Sequence, residues 1–452
     1  MLKIQNILNN NSCFKKEELL QMNVKLFKKK DFLLLMLGKL VSLIGSEMQS
    51  FALSLYVLAI TGSATKFASV VAITVIPKII LGPVAGVFAD WFDRKKIIVC
   101  LDFINGIIIG IYAILFFING ELSMMSIYVL TIILATVELL FQPAISTVIP
   151  SIVHEEELVA ANGVNSTIMN IGLLISPCIA GILFGIKGLQ LVLIINSVSF
   201  ILSAISEMFI NVPKTNKKPE KINFKSFKKD FSEGLKFIKE RSIIKTIIKL
   251  GMVLNFAFSS FVSVGLLYIS KEILKVSDSQ YGMMQSILVI GMFLAPVVCA
   301  FMCKKMPLGK LIFKGVLISS VIIFLISICT TSIVVKYFSS NLTLFGIITM
   351  LCIMFITMIS AVNMALSISI QKQVPIEYLG RVSTVMNSLL MSISPLGTMF
   401  FGILYDKIPA YMAVLVCASI MFIAIIALRK SLYAGDAQDV QLLSEKEKVY
   451  ET

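Results

Sequence analysis

The chain reads as an all-α integral membrane protein, with twelve transmembrane helices arranged as two pseudo-symmetric six-helix bundles. Three observations predict this. Of its 452 residues 57% are apolar and only 15% charged, whereas soluble domains run about 45–50% apolar and roughly 25% charged. The mean hydropathy is +0.92. The apolar residues fall in runs long enough to cross a bilayer, which takes about 20 residues per helix. The two halves also repeat each other: GPVAGVF at 82–88 matches APVVCAF at 295–301, and GILFG at 181–185 matches GILYD at 402–406.

Taken in order, the runs place spans at 32–60, 67–89, 97–118, 122–149, 159–186 and 189–211, and then at 243–270, 280–302, 311–335, 341–370, 382–405 and 409–428. This gives an amino-terminal arm (1–31), a first bundle (32–211), a basic linker (212–242), a second bundle (243–429) and a tail (430–452). Lysine and arginine set the orientation, because positive loops stay on the cytoplasmic side. Seven lie in the arm, three at 94–96 and 12 between Lys214 and Lys249, whereas the opposite face holds only Lys66, Lys187, Lys271, Lys275, Lys336 and Lys407. Both termini are therefore expected in the cytoplasm, with the chain in the cytoplasmic membrane. The first apolar run follows a 31-residue basic arm and is too long for a cleavable signal peptide, so it is expected to remain as span one.

Several function classes drop out. The eight cysteines are scattered along apolar runs and form no disulfide framework. Cys299 and Cys303 share a helix face without a histidine or carboxylate to complete a metal set, so no metal or other cofactor is expected. The basic linker has no aromatic interleaving or folded module around it, which argues for inner-leaflet contact rather than nucleic acid. PLGK at 307–310 lacks the upstream glycine and the hydroxyl residue of a phosphate-binding loop, so the chain is not an ATP-hydrolysing enzyme. A gradient must then drive any transport. Protons are the expected coupling ion, and sodium stays open because a carboxylate with Asn or Gln oxygens also binds it.

At bilayer depth an ionisable side chain is costly, which makes each one a functional candidate. Glu47 lies mid-span one, Lys78 mid-span two, Asp102 two turns into span three and Glu138 deep in span four, one turn before Gln142. The second bundle offers mostly neutral groups. Glu47, Lys78, Glu138 and Gln142 are the candidate substrate and proton residues, with Glu47 placed to pair with Lys78 or carry a proton. Asp102 is expected to support the Arg94 loop. His154, beside three glutamates in the loop before span five, reads as a solvated loop residue.

GPVAGVFADWFDRKK, from Gly82 to Lys96, resembles the signature of the major facilitator superfamily. Trp91 replaces the first basic residue of that pattern and Asp93 its second glycine. The resemblance implies that Gly86, Asp90, Arg94 and Arg381 form a cytoplasmic gate, with Asp90 capping the start of span eleven near Gly380 and Arg381. GLLISPCIAG on span five, with Gly172, Pro177 and Gly181, resembles the superfamily's antiporter motif; Ser176 and Ala180 stand in for glycines. QPAISTVIPSIVHEEELVAAN at 142–162 and TGSA at 61–64 are similar to the macrolide-efflux and siderophore-export branch. The resemblance implies a monomeric secondary transporter exporting a bulky amphipathic small molecule, with membrane lipid as its surroundings and no nucleic-acid partner. An uptake symporter and a lipid or lysolipid flippase of the same fold are the alternative readings.

Overall fold

A computed structural model describes residues 26–82, 93–212, 224–338 and 340–451. Among them the chain is helical nearly throughout, without a strand. In chain order the helices are α1 (Lys30–Thr61), α2 (Ala64–Gly82, with a turn at Thr74), α3 (Arg94–Asn119) and α4 (Met124–Ile152). The helical stretch Leu158–Met208 is broken by non-helical backbone at Lys187 and by Gly188, whose φ of 64° suits glycine; its two parts are α5 (158–186) and α6 (189–208). Then come α7 (Phe224–Glu240), α8 (Ser242–Ile273), α9 (Asp278–Lys305), α10 (Leu308–Cys329), the short α11 (Ser332–Tyr337), α12 (Asn341–Gln373), α13 (Ile376–Lys407) and α14 (Ala410–Glu451). Eleven helical stretches among the described residues are long and apolar enough to cross a membrane, and the break at Lys187–Gly188 makes two spans of one, giving twelve.

Local chemistry sets the helix ends. Asp93, the residue that departs from the glycine pattern, is the N-cap of α3 and accepts from the amides of Lys95 and Lys96 at 3.0 and 3.3 Å. Ser123 caps α4 through the Ser126 amide, and Gly120 closes α3 in the left-handed region at φ 75°. Ser277 and Gln280 form a reciprocal capping box at the start of α9. Span eleven starts earlier than the hydropathy indicates. Pro375 precedes the first helical residue of α13, where a missing amide costs nothing, so Arg381 sits inside the helix rather than at its amino terminus. The linker, which composition alone presents as a basic connector, forms α7 over most of its length.

The chain divides into two compact units, residues 1–53 with 76–222 and residues 54–75 with 223–452. The core of the first lies where α1, α3, α4 and α5 meet, with Phe32, Leu35, Ile98, Ile145, Val148 and Ala161 buried together. In the second, α8 packs on α13 and α14 and α12 lies against α9 and α10. Small residues permit the close crossings: a Cβ on Gly291 of α9 would sit 2.9 Å from the Ile353 carbonyl of α12. Large apolar side chains also cover the outside, Phe117 being 74% and Val297 68% exposed. That inversion of the soluble pattern suits a hydrocarbon solvent.

Candidate functional site

The first unit carries a charged cluster built from three helices. Lys78 Nζ on α2 lies 3.6 Å from Glu138 Oε2 on α4, and Glu47 on α1 is within electrostatic reach of Glu138. The pairing expected between Glu47 and Lys78 is thus replaced by one between Lys78 and Glu138, because α4 presents its carboxylate to the same ammonium. Glu138 and Gln142 are both exposed and lie one turn apart on α4. Two neighbouring carboxyls with an ammonium beside only one of them leave an excess of acid, an arrangement suited to accepting a proton or an organic cation.

The helix-five stripe is buried at Gly172, Ser176, Ala180 and Gly181, with Pro177 half-buried. Its partner within this unit is α1, since a Cβ on Gly172 would stand 2.7 Å from Leu43 Cδ2. Of the gate residues, Gly86 and Asp90 lie outside the described residues. Arg94 donates to the Thr147 carbonyl at 3.5 Å, and the Asp102 carboxyl lies beside Ser203 and Glu207 of α6. Arg381 pairs with Glu233 of α7 at 2.7 Å. Docking of α7 on α13 is completed by stacking of Phe237 on Tyr378, 5.0 Å between centroids, and by Arg241 donating to the Gln373 carbonyl at 3.3 Å. His154 is exposed, and its amide donates to Glu157 Oε2 at 2.9 Å. The same carboxylate accepts from Lys29, and that bond above all holds the Glu157 carboxyl below its ordinary range.

Several polar contacts escaped sequence reasoning. Asn196 donates to Gln49 Oε1 at 2.7 Å in the buried α6–α1 seam, and Lys39 donates to Asn165 Oδ1 at 2.7 Å. In the second unit Asp406, at the end of α13, accepts from the Ser63 hydroxyl at 2.6 Å and from the amides of Ala64 and Thr65 at 2.7 and 3.0 Å. It caps the start of α2 from another helix. The only sequence hint was the mismatch between GILFG and GILYD, which sets this aspartate against a glycine of the first half.

Twelve spans, an apolar exterior and charges confined to a few intramembrane positions define a polytopic membrane transporter. Residues 35–398 match the family model described as Major Facilitator Superfamily, and the chain belongs to that family; it is a transporter, not an enzyme. Macrolide efflux protein A of Streptococcus pyogenes is 23% identical over 375 residues, covering 82% of this chain and 88% of that protein. The uncharacterized MFS-type transporter YfiS of Bacillus subtilis (strain 168) is 27% identical over 369 residues, covering 76% and 79%. Among solved structures, the nucleoside transporter NupG superposes with a TM-score of 0.68 at 12% identity, over 89% of this chain and 98% of that one. A bacterial homologue of the iron transporter ferroportin, in its inward-facing state, gives 0.65 at 15% identity, over 90% and 98%. At such identities the structural likeness speaks for the fold.

Proposed function

We propose that this transporter exports a bulky amphipathic compound, a macrolide-like drug or a secreted metabolite, by alternating access in exchange for protons. The observation that carries the reading is the Glu47, Lys78 and Glu138 cluster, three ionisable groups at membrane depth with Gln142 alongside. Similarity to macrolide efflux protein A supports the direction and the substrate class. In the exchange, Lys78 neutralises one carboxylate and a proton the other. A cationic substrate arriving between Glu47 and Glu138 displaces the proton from Glu47, and protonation from the opposite side releases the substrate.

The lysine and arginine bias supports a cytoplasmic membrane location with both termini inside. In that orientation Asp406 and the start of α2 form a latch on the outer side. The test is uptake of macrolides and lipophilic dyes into inverted proteoliposomes under an imposed pH gradient. Gradient-dependent accumulation is expected in the wild type and its loss in E138Q and E47Q; unaltered proton-coupled flux in both variants would overturn the assignment.

A further inference from the structure

The first unit buries a second acidic site, in the seam between α3 and α6. The two helices run antiparallel in a register fixed by small residues. Ser197 donates to the Gly106 carbonyl at 2.7 Å, and a Cβ on Gly106 would meet the Ile201 amide nitrogen at 3.3 Å. One turn further along that register Asp102 comes opposite Ser203, and Glu207 follows one turn beyond. Asn105 stands three residues from Asp102 on the same helix face. The amino-terminal part of α1 closes the seam: a Cβ on Gly38 would lie 3.1 Å from Ser203 Oγ, and Ser206 donates to the Leu34 carbonyl at 2.9 Å.

Both carboxyls are shut away from solvent, Asp102 at 1% and Glu207 at 0% exposure, with Ser203 at 1% and Asn105 at 7%. Asp102 Oδ2, Asn105 Oδ1 and both Glu207 carboxyl oxygens have no hydrogen-bond partner among the described residues. Two basic side chains on the surrounding helices are engaged elsewhere, Lys39 with Asn165 and Arg94 with the Thr147 carbonyl. Apart from the Ser203 hydroxyl beside Asp102, no donor or counter-charge among the described residues meets the two carboxyls, and as bare carboxylates they are too costly to stand. A cation, or protons, must offset them.

We propose that Asp102, Asn105, Ser203 and Glu207 form a binding site for one hard divalent cation of the calcium type, clasping α3 to α6. The donor set is all oxygen and carries two negative charges, matching a dication. Two bidentate carboxylates with the Asn and Ser oxygens supply six ligands, the lower end of the six to eight that calcium takes in flexible geometry. Magnesium demands a near-ideal octahedron and keeps several waters, for which a seam closed by Gly38 is ill suited. No sulfur or imidazole is present to favour a softer metal. The ion would hold the helix pair together rather than be carried, and the site stands whether or not the chain exports drugs.

The test uses the full chain, purified in detergent, stripped with EDTA and dialysed against radioactive calcium. One ion per chain is expected, together with a rise in Tm on adding CaCl2 that a hundredfold excess of NaCl does not reproduce. D102N and E207Q should each weaken calcium binding by at least about tenfold, while E138Q, in the other acidic cluster, should bind as wild type does. The wild-type protein carries the test even where a variant fails to fold: absence of bound calcium overturns the proposal. Binding left unchanged in well-folded D102N or E207Q also overturns it, as does stabilisation by acidification alone, which would mean that the pair holds protons.

Discussion

Asp406 gives the most direct handle on conformational control. It lies at the end of α13 and accepts hydrogen bonds from the Ser63 hydroxyl and from the amides of Ala64 and Thr65, at 2.6, 2.7 and 3.0 Å. D406A orphans two first-turn amides of α2 and removes an anion from a helix amino terminus. Loss of a side-chain cap costs about 1 kcal/mol, and loss of the charge at the dipole adds about 0.3–1 kcal/mol for an exposed group. The aspartate is open to water, so the sum is about 1–2 kcal/mol, a shift of roughly fivefold to thirtyfold between docked and undocked α2 and α13. The assay is pulsed electron spin resonance between nitroxides at K66C and K407C, with the eight native cysteines replaced. D406A should enlarge the long-distance population, and D406N, which keeps an acceptor but not the charge, should fall between. G402L should do the same by another route, because a Cβ there would meet Ala68 Cβ at 2.6 Å and the Ala64 carbonyl at 3.0 Å; such overpacking costs about 1–3 kcal/mol. A distribution unmoved by D406A would refute the latch.

Other expectations follow from single contacts. The folded-state pKa of Glu157 is depressed mainly by its bond from Lys29, so its contribution to stability is present above the ordinary carboxylate pKa and is lost as pH falls through the lowered value; the Tm gap between wild type and E157Q should therefore be constant near neutrality and close in acid. The Arg381–Glu233 pair is about 39% and 36% exposed, so a double-mutant cycle in thermal denaturation should return a coupling of only about 0.2–1 kcal/mol. G234L should undock α7, since a Cβ there would lie 2.8 Å from the Arg381 carbonyl oxygen and backbone moves poorly; faster lysyl-endopeptidase cleavage at Lys236 and Lys239 would report it. G172A should cost about 1 kcal/mol or less, because the atom met is the mobile end of Leu43, and L43A should relieve the larger loss expected of G172L.

The helices were legible because in a bilayer each span must satisfy its own backbone and be apolar almost all round, a property local to the sequence. Even the break between spans five and six, at Lys187 and Gly188, showed as a polar gap in a long apolar run. The start of α13 was less so: the turn after Pro375 carries Glu377 and Arg381, and hydropathy discounts it although a proline at a helix start is a positive signal. The linker helix left a trace in the spacing of Phe227, Phe231, Leu235 and Ile238, which marks one helix face. At the candidate site, depth alone picked out Glu47, Lys78, Asp102 and Glu138. Their partners were not legible. Whether Lys78 meets Glu47 or Glu138, and that Asp102 comes near Glu207, depends on which helices become neighbours and in what register.

The two units meet the cost of polar groups in hydrocarbon by different chemistry, and this argues for where coupling resides. The first holds ionisable groups within its spans, at Lys39, Glu47, Lys78, Asp102, Glu138 and Glu207, each of whose charge state changes the electrostatic energy of its neighbours. The second joins its spans through neutral contacts, such as Ser259 with Ser394 at 2.8 Å and the Cys417 thiol donating to the Ala257 carbonyl at 3.4 Å. Its charged contacts lie toward helix ends, with Asp406 on the first turn of α2 and Arg381 on α7. Under the proposed proton exchange, neutral seams would not respond to the gradient, whereas the carboxyls of Glu47 and Glu138 would. Substitutions along the neutral seams of the second unit should accordingly change how fast the protein cycles, whereas substitutions at Glu47, Lys78 or Glu138 should change what drives the cycle.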